Sequence, residues 1–121
     1  MSQDSIRLVS FFLQQQDTER EPDWRPATDV YRTRYGWMVK FELAGVEPDD
    51  IEVTVRGRFI RVRGQRRDCC IEPGCRQVHM EIAYSRFERQ VELPANIESL
   101  SWQWEFRHGM LLVRVMRGTE E

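Results

Sequence analysis

Acid–base chemistry near neutral pH calls first on histidine, and this chain of 121 residues offers only His79 and His108. His108 stands next to Gly109 in a turn pattern, and His79 lies in a loop-like stretch with no nucleophile motif nearby. Cys69, Cys70 and Cys75 together with His79 supply four donors, the number that tetrahedral zinc takes. The paired spacing of zinc motifs is absent, however, and adjacent cysteines such as Cys69 and Cys70 rarely bridge each other because the ring is strained. Reduced thiols without a function are the plainest reading, so neither a metal nor a cofactor is expected. A third chemistry, phosphate binding, would rest on Arg56, Arg58, Arg61, Arg63, Arg66 and Arg67. Phe59 is the one aromatic within that cluster, Glu52 offsets part of it, and the net charge of −2 gives no global pull on nucleic acid. A solvated strand face explains the cluster better, with RNA binding as the distant alternative.

The elements that carry these residues read as strands. Trp37, Val39, Phe41 and Leu43 alternate with Met38, Lys40 and Glu42. Ile51, Val53 and Val55 alternate with Glu52, Thr54 and Arg56; Ile60 and Val62 alternate with Arg61 and Arg63. Phe87, Val91 and Leu93 follow, then Leu100, Trp102, Trp104 and Phe106, then Leu111, Val113 and Val115. Six runs of period two, separated by turn signals at Tyr35-Gly36, Val46-Glu47-Pro48, Gly57-Arg58, Pro94-Ala95-Asn96 and His108-Gly109, predict an all-β, antiparallel, immunoglobulin-like sandwich. A two-residue turn at Gly57-Arg58 favours type II′ geometry and sets Val55 opposite Ile60, Val53 opposite Val62, Thr54 opposite Arg61 and Glu52 opposite Arg63. Arg89 falls in phase with Phe87, Val91 and Leu93, so it points to the apolar side and requires a partner.

Ahead of the strands, residues 1–25 form an arm. Ile6, Leu8, Val9, Phe11, Phe12 and Leu13 are apolar, with positions 6, 9 and 13 on one helical face, and an acidic stretch from Asp17 to Asp23 follows. The arm is either partly disordered or a short amphipathic helix that needs a partner surface. No run approaches the roughly 18 apolar residues that span a bilayer, and the start lacks the basic and apolar regions of a signal peptide. A cytoplasmic location is expected.

The motifs now carry a resemblance. Thr28-Asp29-Val30-Tyr31, then Leu43-Ala44-Gly45-Val46 with Asp49, Ile51 and Val53, are similar to the opening strands of the α-crystallin domain of bacterial-type small heat-shock proteins. Gly64-Gln65-Arg66 resembles that family's Gly-x-Arg. Tyr84-Ser85-Arg86-Phe87-Glu88-Arg89-Gln90-Val91-Glu92-Leu93-Pro94 resembles its Tyr-Gly-x-Phe-x-Arg-x-x-x-Leu-Pro, with Ser85 in place of Gly, and Gly109-Met110-Leu111 stands where the family has Gly-Val-Leu.

The resemblance implies an ATP-independent holdase that binds partly unfolded proteins, with residues 26–117 as the domain, a dimerisation loop at about 66–82 and a short tail at 118–121. Client contacts are expected from Ile6, Leu8, Val9, Phe11 and Phe12, and from Val53, Val55, Trp102 and Trp104, whose other reading is core. A homodimer interface is expected from Arg89, paired with an acidic residue, and from Tyr84, Phe87, Ile71 and Val78. The loop carries the three cysteines, which makes an intersubunit disulfide under oxidation the second reading of those thiols. Two departures stand out. The chain stops at Glu121 without the family's Ile-x-Ile extension, and Trp104 replaces a small residue beside the groove that receives it. A dimer or small oligomer is therefore expected, in which other small heat-shock proteins could supply the extension. The same fold also serves cochaperones with a CS domain, but the long loop before Tyr84 and the Phe87 to Pro94 motif speak against that alternative.

Overall fold

The computed structural model describes residues 24–68 and 71–117. Seven strands follow one another: β1 (Thr28–Arg32), β2 (Gly36–Glu42), β3 (Ile51–Arg56), β4 (Phe59–Gln65), β5 (Arg86–Glu92), β6 (Ser101–Arg107) and β7 (Met110–Met116). A 3-10 turn, Pro48–Asp50, precedes β3. One sheet has the order β1-β2-β7-β6 and the other β3-β4-β5, and every strand pairing is antiparallel. The fold is the expected sandwich with one strand more than the apolar runs. The added strand, β1, is an edge strand with Thr28 partly buried and the rest exposed, so burial leaves little alternation for a sequence to display.

Strand alternation produces the core directly. Val39 and Phe41 of β2, Ile60 and Val62 of β4, Phe87 of β5, and Leu111, Val113 and Val115 of β7 turn inward and are buried. Leu43, Val46, Leu93 and Ile97 close the ends from the connections. The β3–β4 hairpin has the predicted register throughout, with Val55 opposite Ile60 and Glu52 opposite Arg63. Gly57 has φ +61°, and Arg58 is not among the residues with positive φ, as a type II′ turn requires. At the β6–β7 hairpin His108 and Gly109 both have positive φ, 55° and 76°, the pattern of a type I′ turn.

Candidate functional site

Each sheet ends in two edge strands, β1 and β6 in one and β3 and β5 in the other, and the connections decide what lies beside them. After β5 the chain crosses the tip of the β3–β4 hairpin. The Leu93 N–H donates to the Arg58 carbonyl at 2.8 Å and the Ile97 N–H to the Gly57 carbonyl at 2.7 Å, while Glu98 Oε1 accepts from the Gly57 N–H at 2.9 Å. This crossing leads from the tip of the β3–β4 hairpin to the start of β6, an edge strand of the other sheet. The inward side chains of β3, Ile51, Val53 and Val55, are only half-buried. Those of β6 face buried Val115, Val113 and Leu111 across the ladder, yet Trp102 is 39% and Trp104 36% exposed. Two indoles are thus left exposed on the core-facing side of edge strand β6.

The opposite flank is built by β5 and β1. The Trp24 N–H donates to the Arg86 carbonyl at 3.3 Å, and its ring meets Phe87 edge-on, centroids 5.3 Å apart. Pro26 then offers its carbonyl to Arg89 Nη1 at 2.8 Å and to Thr28 Oγ1 at 3.2 Å. Arg89 does point inward, opposite Val62. Its partner is this backbone carbonyl; among the described residues no carboxylate pairs with it, and its Nε is buried without an acceptor. One assignment needs correcting: Phe87 is 1% exposed, so it is a core side chain with no surface to give to a dimer interface.

Between β4 and β5 the described residues 71–85 form no strand. Ile71, Val78 and Tyr84 are exposed there, Val78 at 88%, and so are Met80 and Ile82, which sequence reasoning passed over. Val78, Met80, Ile82 and Tyr84 recur every second residue, and His79 and Glu81 between them meet at 2.6 Å from Nε2 to Oε2. That period was the available signal. Cys75 is a free, exposed thiol. Cys69 and Cys70, the arm residues Ile6, Leu8, Val9, Phe11 and Phe12, and the tail at 118–121 lie outside the described residues.

Five of the six clustered arginines are committed internally, and exposed Arg56 is the exception. Arg58 pairs with Glu92 at 3.6 Å, Arg61 with Glu88 at 2.6 Å, Arg63 with Glu52 at 2.8 Å and Arg67 with Asp50 at 3.0 Å. The hydrogen bond that Arg63 Nε donates to Glu52, then the Glu52 charge, holds the Arg63 guanidinium above its already high ordinary pKa. Arg66 lies 3.8 Å over the Trp24 ring. A face already matched by carboxylates has little charge left for phosphates. Exposed surface pairs of this kind contribute little stability, but they fix the strand register.

The described residues form an antiparallel sandwich with exposed indoles on one edge strand and an inward arginine on another. Comparison with known proteins identifies the family. A model of the Hsp20/alpha crystallin family matches residues 29–121. The chain is 27% identical over 106 residues to small heat shock protein C2 of Rickettsia felis, a match that covers 87% of this chain and 68% of that protein. It is 32% identical over 100 residues to a heat shock protein of Dictyostelium discoideum, covering 81% of this chain and 24% of the relative. With spore protein SP21 of Stigmatella aurantiaca the identity is 28%, over 82% of this chain and 59% of the relative. The chain therefore spans only part of these relatives. Among solved structures, heat shock protein 16.0 from Schizosaccharomyces pombe superposes with a TM-score of 0.70 at 22% identity, covering 82% of this chain and 96% of that one. The chain belongs to the Hsp20/alpha crystallin family of small heat-shock proteins, a family of chaperones and not of enzymes. No helix among the described residues is long and apolar enough to cross a membrane.

Proposed function

We propose that this protein is an ATP-independent holdase that covers exposed apolar segments of partly unfolded proteins and slows their aggregation. The observation that carries this reading is the β6 edge, where Trp102 and Trp104 face inward by register yet are 39% and 36% exposed. Apolar side chains left in water on a sheet edge mark a contact surface. An edge strand adds unpaired backbone groups that an extended segment can satisfy. The apolar arm residues Ile6, Leu8, Val9, Phe11 and Phe12 extend the same chemistry as a second client surface. The test is light scattering of a heat-unfolding client without ATP. Wild-type protein at several-fold excess is expected to suppress the signal, and a Trp102→Ser, Trp104→Ser double variant to lose most of that effect while its own unfolding midpoint stays within a few degrees. Unaltered client aggregation with the wild type would sink the holdase reading.

The functional unit is a homodimer joined along the β1/β5 flank. The support is twofold: Val78, Met80, Ile82 and Tyr84 form an unpaired strand pattern, and the inward Arg89 lacks a carboxylate among the described residues. A buried guanidinium edge without an acceptor is costly, and a second chain can supply one. Arg89→Ala is expected to raise the dimer dissociation constant by at least about tenfold, equivalent to ~1.4 kcal/mol. Equal constants from sedimentation equilibrium for variant and wild type would remove Arg89 from the interface.

A further inference from the structure

Arg66 touches three segments that have no sequence continuity. Its guanidinium stacks 3.8 Å over the ring of Trp24, where the arm enters the fold. Its Nε donates to the Ala83 carbonyl at 2.8 Å, at the end of the long loop, and its Nη1 to the Ala44 carbonyl at 3.2 Å, between β2 and β3. The Arg66 backbone N–H adds a bond to the Ser85 carbonyl at 3.0 Å. Trp24 in turn is fixed by its edge-on contact with Phe87 and its N–H bond to Arg86.

We propose that Arg66 is a latch that couples the arm to the loop: pulling the arm off the sandwich at Trp24 loosens the segment that ends at Ala83 and Ser85. The indole shields the guanidinium on one face, and charge-assisted hydrogen bonds are strongest where water is kept away. When Trp24 leaves, water reaches the Arg66 fork and competes for its bonds to Ala83 and Ala44. Because coupling free energies are reciprocal, loosening the loop also weakens the hold on Trp24. In functional terms, which rest on the dimer reading given above, a client that draws on the arm frees the Val78–Tyr84 segment and so promotes subunit exchange.

Two amides report the two ends of the latch: that of Arg66, bonded to Ser85, and that of Trp24, bonded to Arg86. In native-state hydrogen exchange, Trp24→Leu keeps an apolar contact on Phe87 but removes the cation–π face. It is expected to speed exchange at the Arg66 amide about fivefold, as a cation–π contact of middling strength allows, with the Val113 amide of central strand β7 unchanged. Arg66→Lys keeps the charge but not the planar fork, and is expected to speed the Trp24 amide by a similar factor. An Arg66 amide indifferent to Trp24→Leu overturns the latch. So does equal acceleration at Arg66 and Val113, which would make Trp24 an ordinary packing residue. Subunit exchange followed by energy transfer on the same variants tests the consequence separately. A wild-type chain that stays monomeric at every concentration would sink the dimer reading, while the amide rates still decide the latch.

Discussion

Replacing Gly64 with alanine is expected to destabilise the domain by about 3 kcal/mol and to lower its unfolding midpoint by roughly 15 °C. Gly64 faces the interior of β4, opposite Ile51 on one side and Phe87 on the other. A Cβ built there lands on the carbonyl oxygen of Asp50 and within 2.8 Å of Phe87 Cζ. The first of these is backbone, held by the 3-10 turn before β3, and it cannot step aside as a flexible side chain does. The variant must either shift β3 against β4 or displace the Phe87 ring from the core. Calorimetry decides the matter: a midpoint within about 3 °C of wild type would mean that the strands absorb a methyl group at no cost. Gly36 has the same relation to the Val115 carbonyl, so the steric demand recurs in the second sheet.

Phe87→Ala is expected to cost about 3–5 kcal/mol, the range for removing a buried aromatic side chain. Phe87 is among the largest fully buried side chains, and it also supports the Trp24 ring, so the loss reaches the point where the arm enters. The measurement that separates a core from an interface role is denaturant unfolding at two protein concentrations a hundredfold apart. A core side chain gives the same difference from wild type at both. A deficit that grows on dilution, or one below about 1 kcal/mol, would return Phe87 to the subunit interface.

Most of the fold was legible because period two survives wherever one strand face is buried. The β3–β4 register followed from a single glycine in the turn, and the Glu52–Arg63 pair came with it. What escaped has physical reasons. β1 has too little burial to alternate visibly, and only the resemblance of Thr28-Asp29-Val30-Tyr31 to the family's opening strands marked it. The pattern Val78, Met80, Ile82 and Tyr84 was hidden by treating the stretch as an irregular loop, although its spacing is that of a strand without a partner in the described chain. Phe87 was assigned by family resemblance to an interface, while its phase with Val91 and Leu93 already placed it inward. The inward direction of Arg89 was readable, but its acceptor was not, because a backbone carbonyl 63 positions away leaves no trace in side-chain types.

The strand orders have one more consequence. β3 and β5 are opposite edges of one sheet, and β6 and β1 are opposite edges of the other. Trp102 and Trp104 on β6 therefore stand at the opposite edge of their sheet from β1, where Pro26 meets Arg89. In the homodimer proposed above, two chains joined along the Arg89 side leave both β6 edges outside the interface. On the holdase reading such a pair is bivalent: a polypeptide with a weak grip on one β6 edge is held near the second at high effective concentration, so modest contacts sum to avidity.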